Sequence, residues 1–149
     1  MKKGAIVFIL FFGLIVILSS CHKNNLDQPG FPGLRCGIGN AEYVADTAFY
    51  LRNPRTTIYA QTGGQNRLIF YLHLDTTGSI PLDTVNNYAY YLDGVNTYTS
   101  TSGSVNITQY YNDSLRIMSG SFSFNGWVHN DHSKTVSITT GYFNNIPRH

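Results

Sequence analysis

The chain has little of several residue types on which helices and active sites depend. Its 149 residues include two cysteines and one tryptophan, and Glu42 is the only glutamate. Beyond residue 21 the only lysines are Lys23 and Lys134. Because Lys and Glu are good helix formers, whereas the abundant Thr and Tyr favour strands, this composition predicts a β protein. No segment carries an apolar stripe at helical spacing, which supports the same prediction.

An excess of either charge is also missing. The formal net charge is +2, but Lys2 and Lys3 lie ahead of an apolar run that we predict to be removed. Without the first 20 residues the chain has eight cations and eight anions. No basic patch remains that would bind nucleic acid, so we expect no nucleic-acid partner.

Motifs of the common catalytic classes are absent from the sequence. There is no Gly-x-Ser-x-Gly element, and Gly120-Ser121-Phe122-Ser123 lacks the second glycine. No glycine-rich phosphate loop follows a strand and opens a helix. Glu42 and Asp46 would lie about 13 Å apart on a strand, which is too far for a glycosidase pair. We therefore predict a non-enzymatic protein without a cofactor.

Potential metal ligands are few as well. Their densest cluster is His129-Asn130-Asp131-His132, which falls in a predicted polar turn. Zinc takes three or four protein ligands, and no third ligand can be identified from the spacing. We predict a solvated turn here and no metal site.

The N-terminus carries the most informative pattern that is present. Lys2 and Lys3 precede an apolar run over residues 5–18, which is too short to span a bilayer. Leu18-Ser19-Ser20-Cys21 follows and resembles the lipobox of bacterial lipoprotein precursors. The resemblance implies that residues 1–20 are a cleaved signal peptide and that Cys21 carries acyl chains, palmitate among them. We expect anchoring in the outer membrane, with the periplasmic face favoured over the cell surface.

Two alternatives for this segment remain open. The apolar run could stay in place as an uncleaved anchor. Cleavage could instead leave Cys21 as a thiol able to form a disulfide with Cys36, closing a loop of about 15 residues worth roughly 3 kcal/mol. Lipidation of Cys21 excludes that bond, and Cys36 is then expected to be a small, buried, unpaired thiol.

Residues 21–40 and residues 41–149 differ in pattern. The first segment is polar, is punctuated by proline and glycine, and shows no periodicity, so we predict a flexible lipidated tether. From residue 41 onward the period is two, which predicts one antiparallel β domain over 41–149.

Alternation and turn signals outline the strands of that domain. Leu68, Phe70, Leu72 and Leu74 share one face of a half-buried strand, and Asp93-Gly94 is a strong hairpin turn. The pattern predicts about eight or nine short strands in a single β-sandwich or barrel. Several of these predicted strands lie in the second half of the chain, at 88–92, 95–99, 104–111, 115–124 and 135–143.

An order of motifs in the second half resembles a known group of proteins. The motifs are Gly103–Thr108 (GSVNIT), Ile117–Phe124 (IMSGSFSF) and Val136–Phe143 (VSITTGYF). Together with the lipobox they resemble small uncharacterised lipoproteins common in Bacteroidota, over roughly residues 78–143. In this group of lipoproteins an aromatic residue is more usual at the position of Ile80. The resemblance implies an anchored β fold and carries no activity.

Tyrosines supply the candidate ligand surface. Neighbouring strand residues point to opposite faces, so Tyr90 and Tyr91 cannot both be buried in a one-sided sheet. The alternation places Tyr91 and Tyr110 on the outer face, together with Tyr71 and His73. Exposed tyrosines combine an apolar ring with a polar tip and could bind a glycan or an envelope protein. The same residues could equally serve as cross-strand pairs that stabilise the sheet.

The sequence therefore predicts a lipid-anchored envelope protein with a non-enzymatic binding role. The expected partners are the membrane, through the lipid on Cys21, and a glycan or an envelope protein. A small hydrolase whose site forms only in three dimensions and a purely structural lipoprotein remain alternatives.

Overall fold

The structure, a computed structural model, describes residues 33–73, 77–110 and 116–149. Within these ranges it consists of strands and connecting turns without a helix, which confirms the all-β prediction. The ten strands are β1 Gly33–Ile38, β2 Ala41–Val44, β3 Thr47–Arg52, β4 Thr56–Thr62, β5 Asn66–Leu72, β6 Gly78–Pro81, β7 Tyr88–Asp93, β8 Thr97–Gln109, β9 Ile117–Val128 and β10 Asp131–Pro147.

Nine of the strands form one curled antiparallel sheet with the shape of a half-barrel. Their order is β2-β1-β10-β9-β8-β7-β5-β4-β3, and β6 pairs with β8 beside this path. The curl brings edge strand β3 back to the end of β10, where Tyr50 and Arg148 form an isolated parallel bridge. The backbone N–H of His149 donates to the carbonyl oxygen of Tyr50 at 2.9 Å.

The hydrophobic core fills the concave side of the sheet. Leu68, Phe70 and Leu72 are fully buried, as their alternation predicted, whereas Leu74 lies outside the described residues. Phe70 packs edge-on against Phe122 and Phe124, with ring centroids 4.8 and 6.0 Å away. Phe122 and Phe124 are themselves buried.

Two glycines allow aromatic rings to lie flat on a neighbouring strand. Gly141 is paired with Phe122, and a Cβ atom at position 141 would overlap the Phe122 ring. Gly120 is paired with Phe143, whose ring a Cβ atom at 120 would approach to 2.5 Å. Gly120 therefore allows close packing between β9 and β10.

The predicted tether is wrong from residue 33 onward. Gly33–Ile38 forms β1, which pairs with β2 on one side and β10 on the other. Leu34 and Cys36 are both fully buried, so buried and less buried residues alternate in β1. This alternation is too short to predict a strand from the sequence next to the Pro–Gly segment. The rest of the predicted tether, with Cys21, lies outside the described residues.

Strand lengths and one strand phase also differ from expectation. The predicted strands at 95–99 and 104–111 form a single strand, β8, which passes through an irregularity between Ser100 and Ser102. In β10 the register shifts between Ile138 and Gly141, where Thr140 has a φ of 46°. This bulge turns Phe143 into the core, whereas strict alternation from Ile138 would have placed Tyr142 there.

Candidate functional site

Tyr91 does not face outward, and this prediction is wrong. Its side chain is 8 % exposed and packs against Tyr43 and Tyr98, with ring centroids 6.5 and 5.8 Å away. In the β5–β7 ladder Tyr91 pairs with buried Leu68. Because residues directly opposite each other share a face, this pairing sets Tyr91 inside and Tyr90 outside.

Tyr110 and His73 contact different parts of the protein. Tyr110 is half-buried, and its hydroxyl shares a hydrogen bond of 3.1 Å with Thr56 Oγ1. The guanidinium of Arg52 lies 5.7 Å from the Tyr110 ring centroid. His73 is exposed just after β5, and its backbone N–H donates to Asn87 Oδ1 at 2.7 Å. The predicted row of Tyr71, Tyr91 and Tyr110 therefore does not form.

A different set of tyrosines meets on the outer face of β5 and β7. Tyr71 lies opposite Tyr88, with ring centroids 5.1 Å apart, and Tyr90 follows on the same face of β7. The Tyr90 ring centroid is 6.0 Å from that of Tyr71 and 5.3 Å from that of Tyr88. We call Tyr71, Tyr88 and Tyr90 the tyrosine cluster. Of these three, only Tyr71 was predicted from the sequence, because the predicted outer face of β7 was the wrong one.

Apolar side chains continue this surface toward β3. Tyr90 lies opposite Ile69, Ile69 opposite Tyr59, and Tyr59 opposite Phe49. The Phe49 and Tyr59 rings stack with centroids 5.1 Å apart. All of these side chains are half-buried. We call the tyrosine cluster together with Phe49, Tyr59 and Ile69 the outer aromatic face.

Within the residues that the structure describes, the hydroxyls of Tyr71, Tyr88 and Tyr90 form no hydrogen bond to another protein group. Burial, and then the proximity of Tyr88 and Tyr71, raises the pKa of Tyr90 above its ordinary value. Its hydroxyl therefore stays protonated at neutral pH and can donate as well as accept a hydrogen bond.

A protein-family model described as "Domain of unknown function (DUF6252)" matches residues 39–147. The chain belongs to this family. The DUF6252 match includes the whole outer aromatic face and the stretch 78–143, and it agrees with the expectation of an uncharacterised family. It begins after Cys21, so the lipobox lies outside it. Searches of curated proteins and of solved structures found no significant match.

The carboxylates of the DUF6252 domain that were considered as an acid–base pair are held in separate places. Glu42 forms a 3.9 Å ion pair with Arg35. Asp46 accepts a hydrogen bond of 2.9 Å from the backbone N–H of Gly63.

Ser121 lines a shallow cleft of about 200 Å³ on the outer face of β8–β10, and the residues around it carry hydroxyl, amide and aromatic groups.

The predicted polar turn around His129 and His132 joins β9 and β10 of the DUF6252 domain. The His132 ring stacks on Trp127 with a centroid distance of 4.4 Å, and Asp131 accepts hydrogen bonds from Ser133. Over residues 33–73, 77–110 and 116–149, no three His, Cys, Asp or Glu side chains cluster as metal ligands. In the same ranges no helix is long and apolar enough to cross a membrane.

Proposed function

We propose that this protein is a lipid-anchored, non-enzymatic glycan-binding module of the cell envelope, with the outer aromatic face as its contact surface. The observation that carries the proposal is the tyrosine cluster, in which three neighbouring rings have hydroxyls without a partner among the described residues. Cross-strand packing alone accounts for the rings but gives no role to these three hydroxyls.

Tyrosine suits a sugar ligand because a sugar ring has both apolar and polar parts. The C–H face of the sugar can stack on a phenol ring while its hydroxyls exchange hydrogen bonds with the phenol oxygen. Polar side chains border the rings, with Thr57 opposite Tyr71 and Thr99 opposite Tyr90. This mixture of ring and hydroxyl groups favours a polar ligand over a purely apolar one.

The shape of the surface favours a polymer over a small molecule. The outer aromatic face lies on the outside of a curled sheet and extends across β3, β4, β5 and β7. Small-molecule sites are concave and enclose most of the ligand surface. An extended chain can instead lie along a row of rings and contact several of them at once.

Lipid anchoring at Cys21 would hold this surface at the membrane. Each methylene of an acyl chain that enters the bilayer contributes about 0.8 kcal/mol, so more than one chain makes anchoring stable. Eleven residues separate Cys21 from Gly33, the first residue of β1. Outer-membrane attachment with the periplasmic face favoured is part of the same proposal.

Affinity electrophoresis of the full-length protein in detergent tests the proposed function. The gels contain a panel of neutral and acidic polysaccharides, and the variants are Tyr88→Ala and Tyr90→Ala. Tyr142→Ala is the matched control, because Tyr142 is half-buried on β10 outside the outer aromatic face. We expect at least one polysaccharide to retard the wild type and the control but not the two cluster variants.

Two results would overturn the proposal. One is the absence of retardation by any polysaccharide in the panel. The other is equal retardation of wild type and both cluster variants, which would place the binding elsewhere. Loss of a protein crosslink in the cluster variants, without any glycan binding, would identify an envelope protein as the partner instead.

A further inference from the structure

Arg67 stands at the end of the outer aromatic face, at the mouth of a cleft. It precedes Ile69 on the same face of β5 and lies opposite Leu92 of β7. The cleft has a volume of about 280 Å³ and lies between the turn that contains Gly64 and Gln65 and the turn at 94–97. The two turns touch, since a Cβ atom on Gly94 would lie 2.7 Å from Gln65 Oε1.

The Arg67 side chain has one unsatisfied donor and no ion-pair partner within the described part of the chain. Its Nε atom is buried and has no hydrogen-bond partner there, and no carboxylate of the described residues forms an ion pair with it. A buried donor without an acceptor costs free energy. Arginine also presents a planar fork of donors that matches a carboxylate.

The acidic residue that precedes the turn at 94–97 already accepts hydrogen bonds from that turn. Asp93 accepts hydrogen bonds from the backbone N–H groups of Val95 and Asn96, from Asn96 Nδ2 and from the Tyr98 hydroxyl. Lys134 also borders the cleft, since its Nζ lies 3.4 Å from Asn96 Oδ1, but this cation forms an ion pair with Asp131 at 3.7 Å. Arg67 is therefore the cation that the cleft offers to an incoming anion.

The distance along β5 between Arg67 and the tyrosine cluster sets the length of a ligand that could contact both. Residues two apart on a strand are about 7 Å apart, so Arg67 lies about 7 Å along β5 from the level of Tyr90 and about 13 Å from the level of Tyr71 and Tyr88. One ligand can therefore contact the guanidinium and the rings together only if it is extended. Consecutive sugar rings along β5 meet that requirement.

We infer that the ligand of the outer aromatic face is an acidic polysaccharide, and that Arg67 binds the carboxylate of one of its uronic acid residues. The inference rests on the proposed function and adds its charge selectivity. The rings supply stacking to any sugar, whereas Arg67 distinguishes a charged sugar from a neutral one.

Isothermal titration of the full-length protein in detergent tests this pairing. The probes are oligogalacturonate and its fully methyl-esterified form, which differ in charge but keep the same sugar rings. We expect the wild type to bind the acid form at least tenfold more tightly, and Arg67→Gln to abolish that difference without weakening binding of the ester. Arg67→Lys should keep part of the preference, because it keeps the charge and loses the fork.

Arg116→Gln is the matched control, since Arg116 is an exposed cation outside the cleft. It should bind both probes like the wild type. Equal affinity of the wild type for both forms, or an acid preference that survives in Arg67→Gln, would overturn the role of Arg67 while leaving the glycan proposal intact. Binding of neither form, together with no retardation by any polysaccharide in the panel above, would overturn both. If Arg67→Gln unfolds at a lower temperature than the wild type, the affinities for the acid and the ester are compared between the wild type and Arg67→Lys.

Discussion

Tyr71 and Tyr88 lie directly opposite each other across β5 and β7, with ring centroids 5.1 Å apart and ring planes inclined by 32°. The pair lies on the outer side of a sheet whose opposite side carries the core residue Ala89 one position further along β7. Two adjacent residues of β7 thus serve different purposes, one in packing the core and the other in forming the surface that we assign to ligand binding.

Replacing Tyr88 with alanine removes two ring contacts of the tyrosine cluster. Cross-strand aromatic pairs contribute roughly 0.2–1 kcal/mol to sheet stability, so we expect Tyr88→Ala to lower the free energy of unfolding by about 1 kcal/mol. Urea denaturation followed by tyrosine fluorescence measures this change. Tyr142→Ala is the control, because it also removes a half-buried tyrosine but lies outside the tyrosine cluster. A decrease in the free energy of unfolding well above 3 kcal/mol in Tyr88→Ala would indicate a core role for Tyr88.

Replacing Gly141 with alanine places a methyl group inside the space of the Phe122 ring. Overpacking of this kind costs about 1–3 kcal/mol, because the buried ring must move. We expect Gly141→Ala to lose about that much unfolding free energy in denaturant titrations. Ser123→Ala, an exposed change on β9, should stay within about 0.5 kcal/mol of the wild type.

A double-mutant cycle identifies the cause of that loss. If the clash with the ring is responsible, Phe122→Leu should relieve part of the cost of Gly141→Ala, and the two changes should be less than additive. Strict additivity would instead point to a backbone effect at position 141.

The reactivity of Cys36 should depend on unfolding. Burial raises the pKa of the Cys36 thiol to about 12, so almost no thiolate is present at pH 8 and the side chain is fully enclosed. We expect a thiol reagent to label the folded protein at a small fraction of the rate seen in denaturant. Rapid labelling of the folded protein at pH 8 would contradict the burial of β1 in the core.

The number of thiols in denaturant tests the chemistry of Cys21. A lipidated Cys21 leaves one reactive thiol per chain, that of Cys36, with or without prior reduction. An ordinary secretory signal predicts two thiols after reduction. Mass spectrometry of the labelled full-length protein distinguishes the two results directly.

Cys21→Ala tests anchoring in cells. If the lipid on Cys21 is the anchor, the variant should leave the membrane fraction, whereas Cys36→Ala should remain in it. Persistence of Cys21→Ala in washed membranes would favour the uncleaved apolar run as the anchor.

Stability in acid should depend on Asp93. Burial works to raise the pKa of this carboxyl, but hydrogen bonds from Asn96, Val95 and Tyr98 outweigh that effect and lower the pKa to about 2. Because the folded pKa lies below the ordinary carboxyl value of about 3.9, the stabilisation is present above pH 4 and is lost as the pH falls toward 2.

Asp93→Asn removes this titration. We expect the variant to be less stable than the wild type at pH 6 by about 1 kcal/mol and to lose less stability between pH 4 and pH 2. Thermal unfolding midpoints across that range measure the difference. Parallel pH profiles of wild type and variant would show that Asp93 does not contribute.

Local patterns were sufficient for the strands themselves. Leu68, Phe70 and Leu72 alternate with outward residues, and this alternation needs no knowledge of the partner strands. Asp93 and Gly94 likewise predicted the turn before β8, because turn chemistry lies in adjacent residues. The tyrosine cluster could be predicted only in part from the sequence. Tyr71 belongs to a strand with clear alternation, whereas Tyr88 and Tyr90 do not.

By itself, the sequence determined the all-β class, the positions of most strands and the expectation of a lipid on Cys21, because each depends on neighbouring residues. Only the tertiary structure decided which of Tyr90 and Tyr91 faces outward, because pairing with Leu68 and Ile69 on β5 sets the face of β7. It also decided that Phe143 replaces Tyr142 in the core, through the bulge at Thr140, and that Leu34 and Cys36 belong to the sheet. These outcomes depend on the register between strands, and a shift of one residue in that register exchanges the buried and exposed faces.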